Sequence, residues 1–292
     1  MTKDDKGFIE KYARKFYELA KENHRFLSWE HCYSFFYNNR ENLKDEANID
    51  LAALNLAFYL ASWGMYRGSS FLLQYDYKIF IPLIEKLFKK NEFNDLFKNH
   101  DWDSLKNAKN IITNIEPFKE STETLITKIL MGIFGCVPAF DRFFKEGYKI
   151  FHGGKNISFN ETGLEKLQKI EQEVSPEFKT QKTKITYPKM KIIDMAFWQY
   201  GFEHYFKGYI LTDNKITLYR KKPRKIENIE NYVAFDKQFS KEKADKLDAV
   251  LNKEGTSIYS SDKNVSEEEL KEILGHLIKR AQAKQKTSAK AD

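Results

Sequence analysis

An acidic and a basic side chain, Asp141 and Arg142, stand together where an apolar segment is interrupted. The segment, residues 127–144, reads TKILMGIFGCVPAFDRFF and breaks at Pro138, just before the two charges. Burial of an isolated charge is very costly, so a charge in such a segment must be paired or hydrogen-bonded. In a polar site between core helices, Asp141 could act as a general base or as a ligand.

Two cationic side chains could share this site with Asp141. Lys128 lies earlier in the same segment, and Arg67 closes the apolar run of residues 51–66. The pattern predicts either a salt bridge of Arg67 with Asp141 or Asp194, or a catalytic site that combines Asp141 with Lys128 and Arg67. A structural alternative is that the helix dipole favours an acid in the first helical turn.

Other kinds of chemistry find no support in the sequence. The six histidines form no metal-ligand spacing, and no complete cofactor motif is present. Cys32 and Cys136 are too few for a disulfide framework, which favours a reducing cytosol. We therefore predict neither a metal nor a cofactor.

Two segments combine basic with aromatic side chains. Five lysines and no acidic residue fall within residues 178–193, and residues 220–225 read RKKPRK directly after a tyrosine. Lysines interleaved with rings suit phosphate contact together with base stacking, and a solvated charged face is the alternative. The predicted nucleic-acid contacts are Lys182, Lys184, Tyr187, Lys189, Lys191, Arg220, Lys221, Lys222 and Arg224.

The overall composition is that of a globular protein without a membrane span. The chain has 292 residues, of which 41% are hydrophobic and 31% charged. The net charge of +7 is weak support for a nucleic-acid partner, because only eight of the 49 basic residues are arginine. An AT-rich bacterial genome would produce the same lysine excess.

The longest apolar run, residues 51–66, is too short for a membrane span and predicts a buried helix. The first residues carry no apolar signal core, so a cytoplasmic protein is expected.

The elements that must position these residues are mostly helices. Apolar residues recur at helical spacing through residues 8–200, with Ser28, Asp50 and Ser121 as candidate N-caps. Gly201 is expected to end the last helix of this body. The sequence predicts a mainly α fold with a multi-helix globular body over residues 1–201.

A small α+β region is predicted over residues 202–283, followed by a disordered tail at 284–292. Residues 209–219 read as a β-hairpin that turns at Asp213 and Asn214. Ser240 begins one helix, and a capping box at residues 266–269 begins another that ends near residue 283. The region is thus expected to contain one β-hairpin and two helices.

Residues 127–144 and 193–199 together resemble the helix–hairpin–helix DNA glycosylases of the 8-oxoguanine type. In that family a hairpin precedes a helix, and a V-P-x-D loop after the helix carries the acid. Here Val137 and Pro138 precede Asp141. The family's hairpin glycines are missing from residues 116–121, and Glu120 or Ser121 stands where the family has its catalytic lysine. The resemblance therefore implies a related helical fold without base-excision chemistry.

Three functions are compatible with these patterns. The leading hypothesis is a cytosolic nucleic-acid-associated protein that contacts DNA or RNA. The alternatives are a helical interaction or scaffold protein, in a homo-oligomer or with another protein, and an enzyme with a core site centred on Asp141. Residues 51–73 and 127–144 also look similar to uncharacterised bacterial proteins, a resemblance that implies no activity.

Overall fold

The structure, a computed structural model, has a mainly α-helical fold with a small four-stranded sheet. It forms two compact units, which are described separately below. The first comprises residues 1–145 and 156–200, and the second comprises residues 146–155 and 201–292. The structure describes residues 3–21, 24–89, 93–212, 214–220, 229–235, 239–261 and 265–288.

Most of the α-helices of the described residues lie in the first unit. In chain order they are α1 (Lys3–Leu19), α2 (Leu27–Asn39), α3 (Glu46–Ser62), α4 (Ile81–Phe88), α5 (Trp102–Thr113), α6 (Glu123–Ile133), α7 (Arg142–Phe151), α8 (Glu161–Glu171), α9 (Lys189–His204), α10 (Lys241–Leu251) and α11 (Glu267–Ser288).

The core of the first unit is built around α2, α3 and α6, which pack against one another. Close approach of α3 and α6 depends on Gly132, because a Cβ atom there would lie only 2.7 Å from the ring of Tyr59. After α6 the chain turns at Gly135, whose φ of +66° is a left-handed conformation that favours glycine. Residues 134–141 then follow without helix and lead into α7. This turn returns the chain alongside α6 and so brings Asp141 close to Lys128.

The second unit packs two helices on one mixed sheet. Its strands are β1 (Gly208–Thr212), β2 (Lys215–Tyr219), β3 (Tyr232–Ala234) and β4 (Ser257–Ser260), in the order β3-β1-β2-β4. β1 pairs antiparallel with β2 and β3, whereas β2 and β4 are parallel. Alternate strand residues face a buried cluster shared with α10 and α11: Tyr209, Ile216, Leu218, Ile258, Leu247, Leu270 and Leu274.

The predicted fold class is confirmed, and so are several local signals. β1 and β2 form the expected hairpin, and Ser240 caps α10 by accepting from the Lys243 N–H at 3.3 Å. The capping box also forms: the Glu269 N–H donates to Ser266 Oγ, and the Ser266 N–H donates to the Glu269 carboxylate. These signals are local, and the backbone satisfies them without help from distant contacts.

Other boundary predictions were wrong. Ser28 and Asp50 lie inside α2 and α3, and Thr122, not Ser121, caps α6. Gly201 does not end α9, which continues to His204 because Gly201 retains helical backbone. α11 extends to Ser288, beyond the predicted end near residue 283 and into the predicted disordered tail. Strands β3 and β4 are too short to show an alternating pattern, and the sequence did not predict them.

Candidate functional site

Two lysine–aspartate pairs lie in the core of the first unit. Lys128 Nζ is 3.0 Å from Asp141 Oδ2, and Lys191 Nζ is 2.8 Å from Asp194 Oδ2. The side chains of Lys128, Lys191 and Asp194 are at most 4% exposed, whereas that of Asp141 is 16% exposed. The buried charges are therefore neutralised in pairs, as burial requires.

Each aspartate also accepts backbone hydrogen bonds where the chain enters α7. Asp194 Oδ1 accepts the Ala139 N–H at 3.0 Å. Asp141 Oδ1 accepts the N–H groups of Phe143 and Phe144 at 3.0 and 3.1 Å, which is the geometry of an N-cap. Both carboxylate oxygens of Asp141 are thus engaged in contacts that hold the fold together, and the geometry indicates a structural role.

The lysine ammonium groups lie against aromatic rings. Lys191 Nζ is 5.0 Å from the ring centroids of Phe16 and Trp29, and Lys128 Nζ is 4.8 Å from that of Trp63. Rings at this distance stabilise a desolvated cation. Phe26 lies nearly parallel to Phe16 and Trp63, with centroids at 4.5 and 5.2 Å, and the centroids of Phe16 and Trp63 are 6.2 Å apart. We call the rings of Phe16, Phe26 and Trp63 the aromatic stack.

Arg67 is not part of this centre. Its side chain is exposed, and a lysine takes the place predicted for it beside each aspartate. The expected salt bridge of Arg67 with Asp141 or Asp194 is therefore wrong. Because the sequence shows only that a cation is needed, it cannot decide which cation the folded chain supplies.

The predicted nucleic-acid contacts have different environments. Lys182, Lys184 and Lys189 are exposed. Tyr187 and Lys191 are buried, so the prediction that they contact a nucleic acid is corrected. In the second unit, Arg220 lies over the rings of Phe202 and Phe206, at 4.5 and 5.4 Å from their centroids. The other predicted contacts, Lys221, Lys222 and Arg224, lie outside the described residues.

Residues 179–186 form a tight loop, which we call the lysine loop. The Thr180 N–H donates to the Ile185 carbonyl at 2.9 Å, and Lys184 takes a left-handed φ of 57°. Contacts with α1 and α2 fix the loop: Tyr17 Oη donates to the Lys179 carbonyl at 2.8 Å, and Thr183 Oγ1 lies 2.8 Å from Ser34 Oγ. The exposed lysines of the loop are therefore carried on a defined backbone.

A groove of about 360 Å³ lies between the lysine loop and the first turns of α2. We call it the basic groove. A second groove of about 370 Å³ shares Glu30, His31 and Lys182 with it and so adjoins it. The side chains that define the basic groove are His24, Arg25, Ser28, Glu30, His31, Phe58 and Lys182.

The one carboxylate of the basic groove, Glu30, is held by the protein itself. Glu30 is 4% exposed and accepts hydrogen bonds from Tyr187 Oη and from the Gln181 N–H. Burial and the Glu30 carboxylate raise the pKa of the Tyr187 phenol, so the phenol keeps its proton and donates. The exposed charges of the groove, Arg25 and Lys182, are both positive.

Two further side chains give the basic groove a capacity to hold a ligand. Ser28 is only 2% exposed, and its Oγ has no hydrogen-bond partner among the described residues. His24 Nδ1 accepts the Phe26 N–H at 3.2 Å, which places the proton of the neutral ring on Nε2. Burial, followed by the adjacent Arg25, lowers the pKa of His24, so this neutral form prevails at pH 7. The groove therefore offers hydroxyl, imidazole and cationic donors.

The sequence did not reveal the basic groove, because its residues come from three distant segments. The available signal was α3, which is apolar on nearly every face. A helix that is apolar all round is normally buried, as the sequence predicted for residues 51–66, but α3 leaves some of its apolar side chains exposed. Phe58 is one of them, at 55% exposure.

Comparison of the chain with models of protein families, with curated proteins and with solved structures finds no match. The resemblance to helix–hairpin–helix glycosylases therefore stays a prediction. None of the helices in the described residues combines the length and apolar character of a membrane span. The described part of the chain also shows no cluster of three or more histidine, cysteine or acidic side chains that could hold a metal ion.

Proposed function

We propose that this protein binds nucleic acid in the cytoplasm through the lysine loop and the basic groove. The observation that carries the proposal is the convergence of Arg25 and Lys182 on a groove whose buried carboxylate is already satisfied internally. Cationic side chains at a groove attract the phosphate backbone and supply most of the non-specific affinity for nucleic acid.

The geometry of α2 adds to this attraction. The basic groove lies at the N-terminal turn of a 13-residue helix, where the helix dipole favours an anion. Lys184 is exposed on the same loop as Lys182 and adds a second positive charge beside the groove. A fixed backbone lowers the conformational entropy that binding must overcome.

A salt titration tests the proposal. Fluorescence anisotropy measures the affinity for labelled DNA and RNA oligonucleotides. A series from roughly 50 to 200 mM salt, over which such affinities fall steeply, gives the slope of log affinity against log salt concentration. Replacing Lys182 and Lys184 with alanine is expected to reduce that slope by about 1 for each lost phosphate contact. The matched control replaces Lys86 and Lys106, which are exposed on α4 and α5, and should leave the slope unchanged. Absence of binding at low salt, or binding without a salt slope, would refute the proposal.

A second candidate function is protein association through α3. Leu51, Leu54 and Phe58 are 46%, 46% and 55% exposed, and their spacing places them on one face of the helix. An exposed apolar stripe of this kind is typical of an interaction surface. Light scattering over a range of protein concentrations tests this candidate, and a strict monomer without a partner would count against it.

A further inference from the structure

We infer that the basic groove holds an unpaired nucleotide, with its base against Phe58 and its phosphate between Arg25 and Lys182. This inference rests on the proposed function and names its substrate class as single-stranded nucleic acid. The first support is the size of the groove. Its volume of about 360 Å³ suits one nucleotide-sized ligand, whereas a duplex is far too wide to enter.

The second support is the exposed ring of Phe58. Among the described residues it is the most exposed large apolar side chain, at 55%. An aromatic ring beside a basic groove is the usual platform for base stacking, and it tolerates any base because every base has a π face. A base resting on this ring would cover the apolar surface that the chain leaves in water.

The third support is the hydroxyl of Ser28. A buried polar atom without a partner is destabilising, and native proteins rarely keep one without a reason. Ser28 lines the same groove as Phe58, so a ligand there could supply the missing hydrogen bond. The edge of a base carries both donors and acceptors, and a hydroxyl can pair with either.

The charges around this position favour a phosphate on the open side. The guanidinium of Arg25 lies over the rings of Phe26 and Trp63, at 5.6 and 5.9 Å from their centroids. Lys182 is exposed on the lysine loop across the groove. A nucleotide with its phosphate between Arg25 and Lys182 would then contact Phe58 with its base, Ser28 with a base edge and both cations with its phosphate.

The test compares a single-stranded oligonucleotide of about 12 nucleotides with a duplex of the same length and with free AMP, by fluorescence anisotropy and by competition. We expect the single strand to bind at least about tenfold more tightly than the duplex. Phe58→Ala should weaken single-strand binding by about 5- to 150-fold without changing the salt slope. Leu51→Ala is the matched control, because Leu51 is similarly exposed on the same helix but does not line the groove, and it should have no effect.

The variant Ser28→Ala tests whether the Ser28 hydroxyl contacts a ligand or stabilises the fold. Removing an unsatisfied buried hydroxyl should leave the melting temperature unchanged or raise it, while the affinity for the single strand falls several-fold. A merely structural serine would instead lower the melting temperature.

Each remaining result decides the inference. Equal or tighter duplex binding, or equal effects of Phe58→Ala and Leu51→Ala, overturns it. If the inference is overturned in this way but Lys182→Ala still lowers the salt slope, the proposed nucleic-acid binding stands without the single-strand inference. Tight binding of AMP that the oligonucleotide cannot displace would assign the groove to a free nucleotide and overturn the single-strand inference. Absence of binding to every probe refutes both.

Discussion

The pairing of Lys128 with Asp141 makes a sharp prediction about stability. Asp141→Ala removes the partner of an ammonium group that is 2% exposed, and a buried charge left without its partner costs about 3 to 5 kcal/mol. The same substitution removes the cap of α7, which adds about 1 kcal/mol. The expected loss is therefore about 4 to 6 kcal/mol, which is a large part of the stability of a typical domain.

The other variants of this pair should follow a definite order. Asp141→Asn keeps a capping side chain and loses only the charge, so we expect a loss of about 3 to 5 kcal/mol. Lys128→Met leaves a carboxylate that still accepts two N–H groups and reaches solvent, and it should cost only about 1 to 2 kcal/mol. The double variant replaces the whole pair and should be more stable than Asp141→Asn alone.

Chemical denaturation followed by circular dichroism measures the native protein and all four variants. The double-mutant cycle should give a coupling energy of about 2 kcal/mol or more, since the two groups are in direct contact. Additive single effects, or a loss below about 1 kcal/mol in Asp141→Ala, would refute the structural role. If Asp141→Asn kept its stability and lost an activity, the hypothesis of an enzyme centred on Asp141 would be favoured instead.

Two further predictions concern packing and pH. Gly132→Ala should destabilise the protein by about 1 to 3 kcal/mol in denaturant titrations, because its Cβ meets the ring of Tyr59 at 2.7 Å. Gly275→Ala, in an open stretch of α11, should instead be neutral or stabilising, and an equal loss in both would contradict the packing argument. The pKa of His24 is lower in the folded protein than in the unfolded chain. The stability that neutral His24 contributes is therefore complete above the unfolded pKa of about 6.5 and is lost as the pH falls through the folded pKa. The difference in melting temperature between the native protein and His24→Ala should therefore shrink from pH 8 to pH 5, as the bond from the Phe26 N–H is lost, and a constant difference would rule this out.

The fold class could be predicted from sequence because it depends on periodic burial and on local caps. Ser240 and Ser266 capped their helices as expected, since each needs only its own next three residues. Gly201 was misread because glycine ends a helix only where the backbone turns left-handed, and the sequence does not show the backbone angle. The hairpin was predicted as well, but the short strands on either side of it depend on pairing with β1 and β2.

The candidate sites depended on long-range contacts, and here the sequence was informative only in part. It singled out Asp141 as a charge that needs a partner, but Lys128 supplies that partner only because the chain turns back at Gly135. It marked the lysines of residues 179–191 without showing that Lys191 is buried beside Asp194. Sequence reasoning can find a charge that needs pairing, whereas the choice of partner belongs to the tertiary structure.

The buried pairs and the basic groove are connected through the aromatic stack. A buried ion pair is weak support for stability, since well-packed apolar residues often serve as well. Here Lys128 lies against Trp63 and Lys191 against Phe16, and Arg25 lies against Phe26 and Trp63 of the same stack. We expect a double apolar replacement of either pair to cost less stability than removal of one partner alone. If the double replacement also weakened nucleic-acid binding, the pairs would serve to place Arg25 at the groove as well as to stabilise the fold.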